Sequence, residues 1–226
     1  MFHPSGGLIY HLRALRFRRN LWMPFHAHVL RWITDWRPAT DQLVLVGPSG
    51  GYALSSQFLA RFDKVTIIEP DPLARLILRR RFPFASFELD GDSSLAMPGG
   101  LGRLAVRHPH AAILFCNLLG QQLIGEPRGF DRRSWLAQLA PALTGQPWAS
   151  WHDIISTEDK PRHFERLSRP HADPIESVCS HFWSNHELEV HDHNSYGLCP
   201  DRARQYAIWA MTPREFHLVE WVSQGG

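Results

Sequence analysis

Lysine is almost missing from this chain of 226 residues: Lys64 and Lys160 are the only two, and the remaining basic side chains are arginines. With a formal net charge of +2, nothing in the charge balance argues for nucleic acid as a partner. Cysteine is scarce as well, and Cys116, Cys179 and Cys199 form an odd set at wide spacing. That pattern excludes a disulfide framework and a paired CxxC metal site, and it suits a reducing compartment with the thiols as small buried hydrophobes. No apolar run reaches the ~18 residues of a membrane span, and Met1 to Asn20 hold no apolar stretch of signal length ahead of their arginines. The expected setting is cytoplasmic, without membrane association. Internal repeats and low-complexity tracts are missing too.

What is abundant is core material. The chain is 44% hydrophobic, with thirteen Phe and nine Trp, enough to bury one full α/β domain over residues 1–226. Residues 1–40 read as a helical extension. Within it Leu8, Leu12 and Leu15 share one face of a first helix, Phe25, Val29, Ile33 and Trp36 share one face of a second, and Asn20 and Pro24 lie between. Arg13, Arg16, Arg18 and Arg19 fall off the first stripe and read as a solvated basic face. A nucleic-acid contact through that face is not favoured, because the cluster is short.

From Asp41 onward, short apolar runs alternate with helical ones, as in βα units around a parallel sheet. Strands are expected at 43–46, 65–69, 85–89, 111–115 and 148–155, with helices at 53–62, 72–81 and 134–143. The fourth strand is apolar throughout, as a central strand covered on both faces should be. Residues 157–175 are polar and proline-rich and read as an insertion. The runs RQYAIWAM and EFHLVEWV alternate with the strand period about Thr212 to Arg214, so they are expected to pair as an antiparallel hairpin.

The chemistry-bearing residues cluster at the strand ends. LVLV is followed by Gly47-Pro48-Ser49-Gly50-Gly51, a turn of small residues that brings backbone close to whatever lies above it. Eighteen residues beyond Gly51, Glu69 closes the second strand, where an acid can accept hydrogen bonds from both hydroxyls of a ribose. Asp90 and Asp92 follow the third strand and Asn117 the fourth. Each of these can also be read as a turn or capping residue.

Taken together, these elements and motif positions resemble the class I S-adenosylmethionine-dependent methyltransferases over roughly residues 41–222, with no single family singled out. The resemblance implies a Rossmann-like, doubly wound, mostly parallel sheet with a C-terminal antiparallel hairpin, preceded here by helices. It implies S-adenosylmethionine as cofactor, held by Gly47, Pro48, Ser49 and Gly51 at the methionine end, Glu69 at the ribose, Asp92 or Asp90 at the adenine, and Asn117 near the methyl group. It also implies a small-molecule acceptor. Two positions depart from the pattern, since Ser49 stands at the middle glycine and Leu45 where an acid is usual. The Asn-Pro-Pro run of amino-group methylases does not follow Asn117, which disfavours adenine-N6 or glutamine methylation. His152, Tyr196 and His217 are candidates for a base by location only.

Three rival readings stand beside this one. Gly47, Ser49 and Gly51 also spell the G-x-S-x-G elbow of an α/β-hydrolase, but the strands and oxyanion loop that should precede it are missing. Cys179, His181, His186, His191 and His193 could ligate a metal, but their spacings fit neither one helical face nor a knuckle, so no metal is expected. The third is a methyltransferase-like fold serving as a non-catalytic binding or assembly module, with Trp22, Trp32, Trp36, Trp183 and Trp221 available as an aromatic surface.

Overall fold

The computed structural model describes residues 7–92, 94–121, 123, 126, 128–184 and 188–225. Two helices lead, α1 (Gly7–Phe17) and α2 (Met23–Asp35), and the alternation begins with β1 (Gln42–Val46), α3 (Ser56–Leu59), β2 (Lys64–Ile68) and α4 (Pro72–Arg81). It continues through β3 (Phe87–Leu89), α5 (Gly100–Arg107), β4 (Ala112–Cys116), α6 (Arg132–Ala137), α7 (Leu139–Ala142) and β5 (Trp148–Thr157). The remainder comprises β6 (Leu167–Arg169), α8 (Ile175–Phe182), β7 (His191–Asp192), β8 (Arg204–Thr212) and β9 (Glu215–Gln224).

These strands form one sheet in the order β3-β2-β1-β4-β5-β9-β8-β6, with β7 paired to β5. β1 to β5 run parallel, while β9 is antiparallel to β5 and β8 to β9. This is the expected Rossmann-like sheet with its C-terminal hairpin. The strand order reverses between β1 and β4, and at such a reversal the connections leave a crevice outside the carboxyl ends of the strands.

Strand alternation divides the core. Leu43 and Leu45 of β1, with Ala112 and Leu114 of β4, pack under α1 to α4; Val44, Val46, Ile113 and Phe115 face α5, α6 and α7. Side chains at i and i+1 point to opposite faces, so a central strand buried on both must be apolar throughout, as β4 is. The helical extension is tied to this core by Arg61, which stacks over Phe58 and Phe62 and donates to the carbonyls of Ile33, Thr34 and Trp36 at the end of α2. Those are the carbonyls that a helix terminus leaves without intrahelical partners.

Several local expectations are corrected. The helix after β1 is one turn, Ser56–Leu59, capped by Ser55; Tyr52 and Ala53 remain in the preceding turn. The helix expected at 134–143 is divided at Gln138, because Pro141 has no N–H to bond residue 137. The 157–175 segment contributes β6, which adds an edge strand to β8. In α1 the Leu8, Leu12 and Leu15 stripe is exposed, and His11 and Ala14 face inward. The five tryptophans expected at a surface are all buried. Trp22 stacks on Tyr10 and meets Trp209 edge-on, so these rings are core. Among the described residues no helix is long and apolar enough to cross a membrane.

Candidate functional site

Two of the concavities at the carboxyl ends of the strands involve the candidate residues. The smaller is a crevice of ≈ 90 Å³ lined by Gly47, Glu69, Arg75, Asp90, Asp92 and Leu118 among others. It brings four of the sequence-identified residues together at the sheet's reversal point. Glu69 is 8% exposed, and each of its carboxylate oxygens accepts one backbone N–H: Oε2 from Ser49 at 2.8 Å, Oε1 from Asp71 at 3.0 Å. Burial pushes the Glu69 carboxyl above the usual range, and those two N–H groups act against the rise. Two acceptor positions per oxygen leave room for two further donors, such as a diol.

The turn beneath is shaped by left-handed backbone. Gly47, Ser49 and Gly51 have φ of +65°, +50° and +64°. Gly51 N–H donates to the Pro48 carbonyl at 2.9 Å to close the turn. A Cβ on Gly51 would lie 2.5 Å from Leu78 Cδ1, so this glycine serves close packing against α4 and does not line the crevice. Ser49 holds a left-handed conformation that costs an L-residue about 1 kcal/mol. Ser49→Gly is therefore expected to raise the unfolding free energy by about 0.5–1 kcal/mol in denaturant titration. Among the described residues the crevice lining includes no histidine, and Ser49 is not part of it.

Asp90 and Asp92 are both fixed by their own loop and by α5. Asp90 accepts from Asp92 N–H at 2.9 Å and from His108 Nε2 at 2.9 Å. Asp92 accepts from Ser94 N–H at 2.7 Å and pairs with Arg107. Burial alone would raise Asp90, but Asp92 N–H, His108 and Arg107 outweigh it and hold the carboxyl down. The Ser94 hydroxyl and N–H, with Arg107, hold Asp92 at about 2. Both are carboxylates at neutral pH.

Asn117 lies just beyond β4. Its φ is +54°, its N–H donates to Trp151 carbonyl at 2.8 Å, and its amide grips Asp153 twice. Asp153 N–H donates to Oδ1 at 2.9 Å and Nδ2 donates to Asp153 Oδ2 at 3.1 Å. The next contact is tighter, because a Cβ on Gly120 would lie 2.1 Å from the Asp153 carbonyl oxygen. The loop after β4 thus lies directly on the backbone of β5.

Beyond that loop opens a chamber of ≈ 690 Å³, lined by Tyr10, Arg13, Asp153, His193, Glu215 and His217 among others. Its wall is set by a bulge in β5 between Asp153 and Ile155, opposite β9. Asp153 is 2% exposed and lies 3.2 Å from His217 Nδ1. His217 Nε2 donates to Glu215 at 3.3 Å, and Glu215 in turn pairs with Arg13 of α1 at 3.1 Å. His193 Nδ1–H donates to the Gly120 carbonyl at 3.0 Å. One ligand atom from each of Asp153, His193 and His217 falls within 4.8 Å of the others.

Burial would lower His217, yet Asp153 and Glu215 outweigh it and raise the ring to about 9. The raised ring adds stability below its unfolded pKa of about 6.5, and that contribution is lost as pH rises through the folded value. In chelator-containing buffer the melting temperature should therefore fall between pH 7 and about 9, and His217→Gln should flatten that slope. A wild-type profile flat over the same interval would contradict the buried ion pair.

Of the three bases expected from location, His217 alone lines the chamber. His152 sits on the opposite face of β5, directly across from Glu220, with Ser150 and the Ser195 carbonyl as neighbours. Tyr196 donates to the Asp173 carbonyl. The chamber draws Tyr10 and Arg13 from the N-terminal extension and takes nothing from 157–175. Tyr10, His193 and Glu215 were not identified from sequence as parts of one site with Asp153. Their approach depends on α1 and β7 reaching the ends of β5 and β9, which no local spacing encodes. Of the metal candidates, His186 lies outside the described residues.

No family model matches this chain, and no curated protein does. Solved structures similar to it include a SAM-dependent methyltransferase from Anabaena variabilis at 11% identity, covering 95% of this chain and 90% of that one, with a TM-score of 0.45. The N-methyltransferase NodS from Bradyrhizobium japonicum, in complex with S-adenosyl-L-homocysteine, is 10% identical over 92% of this chain and 89% of that one, TM-score 0.43. A protein assigned to the zinc-dependent alcohol dehydrogenases of Rhodobacter sphaeroides is 12% identical over 56% of this chain and 46% of that one, TM-score 0.38. At such identities these likenesses concern chain path and not activity.

Proposed function

We propose that the chain is a class I S-adenosylmethionine-dependent methyltransferase acting on a small-molecule acceptor. The observation that carries this reading is Glu69: a carboxylate at the tip of β2, held from below by Ser49 and Asp71 N–H, lining a crevice with Gly47, Asp90 and Asp92 at the sheet's reversal point. In this reading Glu69 accepts the ribose hydroxyls, Asp90 or Asp92 the adenine amino group, and Gly47 lets the methionine portion pass over the turn. Asn117 holds Asp153 at the wall of the acceptor chamber, where Tyr10, His193 and His217 orient the acceptor. When bound, the cofactor supplies an electrophilic methyl group, and placement of the acceptor is then most of what the protein must contribute.

A second reading, a non-catalytic module of the same fold, is favoured by one observation. Leu118 covers Gly47 so closely that a Cβ there would meet Leu118 Cδ1 at 2.8 Å. At ≈ 90 Å³ the crevice is below the roughly 300 Å³ of an ordinary ligand site, so Leu118 must turn aside before a cofactor enters. Isothermal titration separates the two readings. S-adenosylhomocysteine should bind the wild-type protein, and Glu69→Ala should weaken it by about 1–3 kcal/mol, roughly 5- to 150-fold in Kd. Heat exchange with neither S-adenosylmethionine nor S-adenosylhomocysteine, on a folded sample, would sink the enzymatic reading and leave the module.

A further inference from the structure

We propose that Asp153, His193 and His217 form a binding site for a first-row divalent metal ion, with its open positions facing the acceptor chamber. The three side chains come from β5, from beside β7 and from β9, and each presents one ligand atom within 4.8 Å of the other two. The tautomers are settled by neighbours. The Gly120 carbonyl can only accept, so His193 carries its proton on Nδ1 and keeps a lone pair on Nε2. The Glu215 carboxylate likewise claims the Nε2 proton of His217, so Nδ1 is the atom turned to Asp153, and it becomes the second ligand when a cation displaces its proton. That atom lies 3.2 Å from Asp153 Oδ2 without hydrogen-bond geometry, and Asp153 Oδ1 has no hydrogen-bond partner among the described residues although the side chain is 98% buried.

Two imidazole nitrogens and a buried carboxylate converging in one spot call for positive charge there. A proton shared by His217 and Asp153 would satisfy one of these contacts, whereas a cation satisfies all three. The surrounding groups match what ligating side chains require. A backbone carbonyl orients His193, a carboxylate orients His217, and Asn117 Nδ2 holds Asp153 at 3.1 Å. Ser156, whose hydroxyl lies 3.2 Å from His193 Nε2, can rotate to donate elsewhere. Two imidazoles and one carboxylate suit zinc, iron, manganese or cobalt in the divalent state and not calcium or magnesium. Because the chamber wall supplies the ligands, the remaining positions are open to a small molecule offering an oxygen donor. Only the identification of that molecule as a methyl acceptor rests on the function proposed above.

The test titrates chelator-stripped, full-length protein with Zn2+ by calorimetry and with Co2+ by visible absorption. One equivalent should bind, His193→Ala should weaken it at least about tenfold, and His110→Ala, exposed at the opposite end of the sheet before β4, should leave it unchanged. Asp153→Asn, which keeps shape and removes charge, gives a second weakened variant. Acetohydroxamate, a bidentate oxygen probe, should perturb the Co2+ spectrum if the open positions face solvent, and an unaltered spectrum would overturn the open site. Failure of wild-type protein to take up Zn2+ or Co2+, or equal uptake by His193→Ala, would overturn the metal site. So would a 15N spectrum of His217 carrying protons on both nitrogens at saturating Zn2+. Cofactor titration is a separate readout, so metal uptake without S-adenosylhomocysteine binding would defeat the methyltransferase reading and leave this one standing.

Discussion

Glu220→Ala should lower the unfolding free energy by about 3–5 kcal/mol in denaturant titration. Glu220 sits on β9 facing away from the chamber, fully buried, with Arg204 Nη1 at 2.6 Å from Oε1. Arg204 is fully enclosed as well, and its other donors reach the carbonyls of Leu198, Cys199 and Arg202. His152 Nε2–H donates to the Ser195 carbonyl at 3.2 Å and lies 3.3 Å from Glu220 Oε2 without hydrogen-bond geometry. Removing the carboxylate would leave a guanidinium inside the sheet with only carbonyl dipoles around it. A buried pair contributes little over an apolar replacement, but half of a pair is far worse than either. Because Glu220 and His217 point to opposite faces of β9, the folded fraction of the variant should keep the chamber and its ligand binding. A loss below about 1 kcal/mol would mean that Arg204 reaches water or another acid.

Gly120→Ala should depress the melting temperature by about 6–12 °C, equivalent to about 3 kcal/mol in a chain of this length. The added methyl group would stand 2.1 Å from the Asp153 carbonyl oxygen and 3.0 and 3.2 Å from its carbonyl carbon and nitrogen. All three are backbone atoms of a paired strand, so no side chain can rotate aside. Relief requires lifting the loop after β4 off β5. That movement would carry the Gly120 carbonyl away from His193 and loosen Asn117 from Asp153. The variant should therefore lose stability and the chamber's side-chain arrangement together, visible in the histidine NMR signals of whatever remains folded. Melting within about 2 °C of wild type would show that the loop is not seated on β5 as described.

How much of this could be read from the sequence depended on the range of the interactions involved. β1 and β4 were legible because a strand buried on both faces writes a continuous apolar run, β2 because its short run is nearly so, and the β8–β9 hairpin because its runs alternate with the strand period about Thr212-Pro213-Arg214. Glu69 was legible because its place is fixed by strand end and glycine turn, both local. α5 was not, since Gly100 and Gly102 at its start have poor helix propensity and its stability comes from Leu101 and Leu104 packing under the sheet. The leucine stripe of α1 has helical spacing, but spacing cannot say which face is buried, and the aromatic contacts of Tyr10 turned the leucines outward. His193 and His217 were separately visible as residues of the right chemistry, apart from Asp153. Their convergence depends on the β5 bulge and on β7 pairing beside it, both products of tertiary packing.

S-adenosylmethionine is proposed to occupy the crevice above Gly47 with its ribose on Glu69. The decisive measurement is a crystal structure of the protein grown with saturating S-adenosylhomocysteine. Both ribose hydroxyls should lie within hydrogen-bond distance of Glu69, with the Leu118 side chain turned away from Gly47 and the sulfur directed past Asn117 toward the chamber. Density for the ligand elsewhere on the molecule, or a crevice still closed by Leu118 with no ligand present, would contradict it.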